Sequence, residues 1–267
     1  MQIEKDLLPI IHNAGKEILE VYSGNFKSTI KSDQSPLTEA DQISHKVITE
    51  GLKKNFPHIP MISEEGSSVD FEVRSQWKRY FLIDPLDGTK EFVKRNGEFT
   101  VNIALIENNK PTMGIIHTPI ENKTFWGGKN HPIMQFHNGE INSLIPKKNI
   151  NEDYKILVSR SHKNSRLENG IRNIKERITA DTIEMGSSKK FCLLVSNEAM
   201  IYPRFGPTSE WDIAAGHALI ESMGGIMKRL NGNEVVYNSS QDYIIPDFVA
   251  GLDRSLLESL IKNFDFS

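Results

Sequence analysis

Tyr80-Phe81-Leu82-Ile83-Asp84-Pro85-Leu86-Asp87-Gly88-Thr89 is the stretch from which the chain is best read. Its first four residues form a short apolar run of buried-strand type, so Asp84 falls at a strand end, where a carboxylate faces a cleft. Asp84 and Asp87 stand three residues apart, the spacing of one tight turn, and offer hard oxygens to a small divalent cation. Pro85 stiffens that turn by fixing φ. Leu86 can bury its side chain while its carbonyl points at an ion, and Gly88 permits φ > 0 or close backbone approach to an anion. Thr89 opens a helix whose free N–H groups suit phosphoryl oxygens, and its hydroxyl can orient a water. The same hexapeptide also reads as an ordinary turn with an N-cap, because Asp, Pro, Gly and Thr are all favoured there.

Two further acidic pieces change that balance. Glu64 and Glu65 follow the apolar Pro60-Met61-Ile62, also at an expected strand end, and Asp212 follows Trp211 far downstream. Alone, a Glu-Glu pair is solvated surface and an Asp after Trp is a helix cap. Together with Asp84 and Asp87 they supply five carboxylates from three short pieces, a donor set for Mg²⁺ beside a phosphate ester. Thr38-x-x-Asp41 reads by its spacing as a capping box.

Composition excludes some classes of function. A chain of 267 residues with 38% hydrophobic content can bury a sizeable core. A net charge of −3 gives no reason to expect binding to a nucleic-acid polymer. Cys192 is the one cysteine, which excludes an internal disulfide and fits a reducing cytosol; its neighbours Phe191, Leu193 and Leu194 suggest a buried thiol. No signal peptide or membrane-spanning run is visible, which leaves a cytoplasmic protein, free or held peripherally on the inner face of the membrane, as the expectation.

Hydrophobic periodicity predicts an α/β mixture. Leu7, Ile11, Ala14, Ile18 and Val21 make a helical stripe that Pro9 kinks or begins, and a second helix is expected from Thr38 to about Asn55 with Ile43, Val47, Ile48 and Leu52 inward. Strands are expected at 59–62, 80–83, 100–107, 113–117 and 123–126, with Asn108-Asn109-Lys110 as a hairpin turn. Beyond them the pattern alternates: strands at 155–158, 182–185 and 199–202, helices at 190–196 and 211–223, and a last helix capped by Asp253. The Asn-, His-, Gly- and Pro-rich stretch 127–151 reads as the seam between an N-terminal half (1–150), carrying most of the acids, and a C-terminal half (151–267) carrying Asp212, the two forming one catalytic unit.

Several motifs carry a resemblance: Asp84-Pro-Leu-Asp-Gly-Thr-Lys-Glu-Phe92, the run from Lys94 to Leu105, Val158-Ser-Arg-Ser-His162, Gly186-Ser-Ser-Lys-Lys-Phe-Cys192 and Tyr202-Pro-Arg-Phe-Gly-Pro207. From about Asn13 to past Gly232 the chain resembles the lithium-sensitive, magnesium-dependent phosphatases that include inositol monophosphatase and the 3'(2'),5'-bisphosphate nucleotidases. The resemblance implies a layered αβαβα sandwich of the sugar phosphatase type. It implies release of the 3'-phosphate of adenosine 3',5'-bisphosphate, giving AMP and phosphate, in sulfur assimilation, with 3'-phosphoadenylyl sulfate a second candidate substrate. An inositol or sugar phosphatase is the alternative of the same class; a non-catalytic nucleotide-binding protein is the alternative of another.

The resemblance also assigns roles. Glu64, Asp84 and the Leu86 carbonyl are expected to hold one Mg²⁺; Asp84, Asp87 and Asp212 a second; Glu65 would orient a third ion or a bound water. Ser35-Pro36-Leu37 before Thr38 matches the family's Pro-x-Thr-x-x-Asp pattern, which implies that Asp41 accepts a proton from the attacking water through Thr89. The substrate would meet Glu64, Leu86, Asp87, Gly88, Thr89, Gly186 and Asp212 around the scissile group, with Ser159, His162 and Lys190 receiving the nucleotide and its second phosphate. His162 reads equally as a surface loop residue. Arg160 and Arg204 are phosphate partners or structural ion-pair partners. Ile213 departs from the threonine found in relatives, a change to packing or to the surroundings of the metal. The protein is expected as a monomer or homodimer.

Overall fold

The computed structural model describes residues 3–30, 36–146, 154–161 and 164–263. The chain runs α1 (Ile3–Ser23), β1 (Ser28–Ile30), β2 (Pro36–Thr38), α2 (Glu39–Asn55), β3 (Met61–Ser63), α3 (Phe71–Arg74), β4 (Arg79–Asp87), α4 (Thr89–Val93), β5 (Thr100–Glu107), β6 (Lys110–Thr118), β7 (Lys123–Gly128), β8 (His131–His137) and β9 (Glu140–Ser143). It continues with β10 (Tyr154–Ser159), α5 (Ser165–Lys175), β11 (Ala180–Met185), α6 (Lys189–Val195), β12 (Ile201–Arg204), β13 (Thr208–Ser209), α7 (Glu210–Ser222), β14 (Ile226–Arg229), β15 (Ile244–Ile245), β16 (Phe248–Gly251) and α8 (Arg254–Asn263).

Strands β3 to β9 form a seven-stranded sheet in chain order, and a five-stranded sheet has the order β11-β10-β12-β16-β14. Helices α1 and α2 cover one face of the large sheet; α6 and α7 fill the space between the sheets; α5 and α8 lie outside the small one. The result is the αβαβα sandwich, with one apolar cluster under each outer helical layer and a third spanning both sides of the middle one. No helix among the described residues is long and apolar enough to cross a membrane.

The expected stripe of α1 is buried at Leu7, Ile11, Ala14 and Ile18, and the helix continues through Pro9. Val21, like Ile43 and Val47 of α2, is only half-buried, because each lies at the margin of its helix's apolar face. Asn108 and Asn109 both adopt positive φ, as a two-residue hairpin turn requires. The stretch expected as a seam carries β8 and β9, which extend the large sheet through hairpin pairing, and its end from 147 lies outside the described residues. Asn130, Asn138 and Gly139 make the turns before and after β8, each with positive φ.

Helix α7 lies against the large sheet with little room to spare. A Cβ on Gly114 of β6 would stand 2.2 Å from the Ala215 carbonyl oxygen of α7, and one on Gly216 would stand 2.1 Å from the Phe191 ring. Backbone cannot yield as a side-chain tip can, so Gly114→Ala is expected to cost about 2–3 kcal/mol. An unchanged midpoint in urea denaturation would contradict this close approach.

Candidate active site

Strand pairing brings the acids together. β3 runs parallel to β4 with Ser63 opposite Ile83, and Glu64 donates its N–H to the Ile83 carbonyl at 3.1 Å. Glu64 thus leaves its strand beside Asp84. On β4 a bulge separates the two aspartates, for Asp84 pairs with Asn102 and Asp87 with Thr100 of β5. In a regular strand residues three apart face opposite sides; one extra residue turns Asp84 and Asp87 to the same side.

Each carboxylate is held by its own local structure. Asp84 Oδ1 accepts from Leu86 N–H at 3.0 Å, and the Pro85 carbonyl accepts from Ser44 of α2 at 2.7 Å. Asp87 Oδ2 accepts from Ser188 N–H, while the Ser188 hydroxyl bridges Thr100 and Asn102, each at 2.7 Å. Asp212 sits in the first turn of α7, where its Oδ2 closes a capping box with Ser209 N–H at 3.1 Å and accepts from Thr208 Oγ1 at 2.7 Å. It is therefore the third helical residue rather than the cap itself.

One cavity of about 520 Å³ is lined by Glu64, Asp84, Leu86, Asp87, Gly88, Thr89, Ser159, Gly186, Lys190 and Asp212. Asp41 and Glu65 are outside that wall. Asp41 reaches it through Thr89, whose hydroxyl lies 3.1 Å from Asp41 Oδ1 and 3.3 Å from the Leu86 carbonyl. The other oxygen of Asp41 makes the α2 capping box, accepting from Thr38 N–H at 2.7 Å and Thr38 Oγ1 at 2.6 Å. Capping and contact with Thr89 thus use different oxygens. Glu65 accepts from Gln42 at 3.4 Å on the outer side of the turn. His162 lies outside the described residues.

The electrostatics follow from this crowding. Burial, then repulsion from Glu64, Asp87 and Asp212, holds Asp84 well above the ordinary carboxylate range. Asp87 is pushed up to about 8 by burial and by the Asp212 charge, against the attraction of Lys190 and the Ser188 N–H. Burial also raises Asp212, opposed by hydrogen bonds from Thr208 and Ser209 and by the charges of Arg204 and Lys190. Asp41 is raised by burial despite its bonds to Thr38.

This donor set fits a divalent cation. Carboxylates that raise one another's proton affinity are those a hard cation stabilises, and Asp84, Asp87 and Asp212 each have a second oxygen beyond the one held locally. Among the described residues no three His, Cys, Asp or Glu side chains converge on one coordination point.

Lys190 is buried, with its ammonium held by the Ser187 and Met185 carbonyls at 2.6 and 3.2 Å and lying 5.2 Å from the Tyr202 ring centre. Among the described residues it makes no ion pair with a carboxylate. Arg204 donates to Ser159 Oγ at 2.7 Å and to the Pro207 carbonyl at 3.0 Å. Arg160 takes the structural alternative: Glu98 receives it bidentately at 2.7 and 2.8 Å, and the same carboxylate accepts from Gly186 N–H at 2.8 Å. Helices α4 and α6 are five and seven residues long, so the dipole expected to favour an anion is weak at both. Gly88 serves through its φ of +92°, and a Cβ there would meet the Glu98 carbonyl oxygen at 2.9 Å.

Ser188, Asn102, Glu98, Thr208 and Ser209 were not singled out from sequence. Only Ser209, three residues before Asp212, carried a readable signal, the capping-box spacing.

A family model described as the inositol monophosphatase family matches residues 3–267. The 3'(2'),5'-bisphosphate nucleotidase CysQ of Escherichia coli (strain K12) is 39% identical over 241 residues, 90% of this chain and 95% of that protein. The protein of the same name from Haemophilus influenzae is 32% identical over 251 residues, 93% of this chain and 92% of its own. A crystal structure of CysQ from Bacteroides thetaiotaomicron, titled a bacterial member of the inositol monophosphatase family, superposes with a TM-score of 0.83 at 34% identity, covering 92% of this chain and 96% of that one. A Thermotoga maritima IMPase shares the fold at a TM-score of 0.78 and 19% identity, covering 98% of this chain and 99% of that one. By sequence along nearly its whole length, and by fold, the chain belongs to the inositol monophosphatase family.

Proposed function

We propose that the protein is a Mg²⁺-dependent phosphomonoester hydrolase that releases the 3'-phosphate of adenosine 3',5'-bisphosphate, leaving AMP. The observation that carries this reading is the joining, in one cavity, of the acids around Asp84 with a buried lysine and with Thr89, whose hydroxyl is bonded to Asp41 behind the wall. Relatives named as bisphosphate nucleotidases support the substrate class.

Glu64, Asp84 and the Leu86 carbonyl would hold one Mg²⁺, and Asp84, Asp87 and Asp212 a second; Glu65, outside the cavity wall, would orient a third ion or a bound water. When bound, such ions activate water near neutral pH and offset charge on the leaving oxygen. Thr89 orients the attacking water, and Asp41, hydrogen-bonded to the Thr89 hydroxyl, takes the proton that water gives up. Transfer through a loose transition state needs positioning and charge stabilisation, so no covalent nucleophile is required. Ser159, His162 and Gly186 would line the nucleotide's path. Lys190 and Arg204 would receive the second phosphate. The buried, unpaired thiol of Cys192, which burial pushes up from its ordinary range, agrees with a cytoplasmic enzyme.

The inositol phosphatase reading lacks a use for Lys190. A phosphate-release panel of adenosine 3',5'-bisphosphate, 3'-phosphoadenylyl sulfate, inositol monophosphate and fructose 1,6-bisphosphate, with and without Mg²⁺ and Li⁺, tests the choice directly. Lys190→Met is expected to raise KM for adenosine 3',5'-bisphosphate by roughly tenfold or more while leaving KM for adenosine 3'-monophosphate within about twofold, the loss of one charge-assisted contact. Equal loss on both substrates would assign Lys190 to the carboxylates instead.

A further inference from the structure

Arg74 is fully buried, 0% exposed, at the end of the four-residue α3. Among the described residues it makes no ion pair with a carboxylate. Its guanidinium donates instead to four oxygens: the Asn238 side chain, the carbonyls of Ser240 at 3.0 Å and Gln241 at 2.6 Å, and that of Val69 at 3.3 Å. It also lies 4.1 Å from the Tyr243 ring centre. Burying a cation with no direct carboxylate partner is costly, even with Glu210 near enough to feel its charge, so this one has to be repaid by what it organises.

What it organises is the approach to Asp212. Asn238 returns a hydrogen bond to the Arg74 carbonyl at 2.6 Å and donates its own N–H to Glu210, the first residue of α7, at 2.7 Å. Glu210 N–H in turn donates to the Tyr243 carbonyl at 2.8 Å, and the Tyr243 ring packs on Trp211 at 5.1 Å. One residue on, β15 pairs with β13, placing Ile244 opposite Ser209 and Ile245 opposite Thr208. Thr208 and Ser209 are the two residues that hold the Asp212 carboxylate. At its other end Arg74 belongs to the segment that begins at the Ser63-Glu64-Glu65-Gly66 turn, eight residues after Gly66. A single guanidinium therefore joins the stretch following Glu64 to the loop that sets the start of α7.

We propose that Arg74 is a positioning residue for the metal site: by fixing residues 238–243 against the segment after Glu64, it sets the distance of Asp212 from the other acids. This rests on the reading of Asp212 as a metal ligand. Outer partners of metal ligands typically change affinity by about 10–100-fold when removed. The planar fork that spans four acceptors has no equivalent in an ammonium, so lysine can restore the charge but only part of the geometry.

The test is calorimetric titration of the purified protein with Mg²⁺ alone, beside kcat at saturating Mg²⁺. Arg74→Met is expected to weaken Mg²⁺ binding about tenfold, with Arg74→Lys intermediate, and to leave kcat at saturation within about threefold. Leu260→Ala, in the apolar cluster under α8, is the control for lost stability: its Tm should fall with Mg²⁺ affinity unchanged. If Arg74→Met does not fold, Asn238→Gly replaces it, because Asn238 has a φ of +52° that glycine accepts while both side-chain hydrogen bonds to Arg74 are lost. A folded Arg74 or Asn238 variant that binds Mg²⁺ as tightly as wild type would show a structural strap and overturn the proposal. Wild-type protein that binds no Mg²⁺ would overturn the metal reading beneath it, a result distinct from the first.

Discussion

Asp84→Asn is expected to lower phosphate release by roughly a thousandfold or more at saturating Mg²⁺, the equivalent of about 4 kcal/mol of transition-state stabilisation. Asp84 is the acid that both proposed ion positions share, and after burial Glu64, Asp87 and Asp212 each raise its proton affinity. Asparagine keeps the oxygen that accepts the Leu86 N–H, so the turn can persist. A second consequence separates loss of chemistry from loss of fold. Removing a charge from a cluster of like charges relieves repulsion, so Tm without Mg²⁺ is expected to rise in the variant while Mg²⁺ no longer raises it. Turnover close to wild type would remove Asp84 from the reaction, and a collapsed Tm would make the residue structural.

Mg²⁺ affinity is expected to climb steeply between about pH 6 and 8, approaching tenfold per pH unit for each proton released on binding. The sign follows from the direction of the shifts. Asp87 is pushed from 3.8 to about 8 and Asp84 is raised well above 3.8, so the metal-free folded chain binds more protons than the unfolded chain in that interval. Its stability therefore falls as pH rises from about 4 through about 8. Magnesium binds the ionised forms, and the stabilisation it confers grows across the same window. Melting curves with and without Mg²⁺ from pH 5 to 9 measure both slopes at once. A difference in Tm that stays flat with pH would mean that the acids are not coupled as the geometry requires.

The α/β mixture was legible because many of its helices and strands carry their own periodicity, whereas the layered sandwich came from the resemblance of the motifs. Leu7, Ile11 and Ala14 declare α1 without reference to any other part of the chain, and Tyr80 to Ile83 declare β4. β8 and β9 were missed because their flanks, rich in Asn, His and Gly, carry the composition of a linker; hairpin pairing onto β7 is what makes them strands. β13 and β15 are two residues each and exist only as partners to one another. The acids that the fold gathers in one cavity, Glu64, Asp84, Asp87 and Asp212, were legible as candidates, since acids after apolar runs are unusual. Arg160 was not, because whether an arginine meets a phosphate or a glutamate depends on Glu98, sixty-two positions away.

Residue chemistry and local pattern alone determined the class of fold, the acids fit for a divalent cation and the turn that carries two of them. Those are properties of a residue and its near neighbours, which the chain states wherever it folds. Tertiary structure decided the rest: a one-residue bulge against β5 turns Asp84 and Asp87 to the same side, packing on Gly114 seats α7, and Ser188 and Thr208 orient the carboxylates. Contacts of that kind join residues far apart along the chain, and their distances are set by close packing of whole layers, which no stretch of sequence contains by itself.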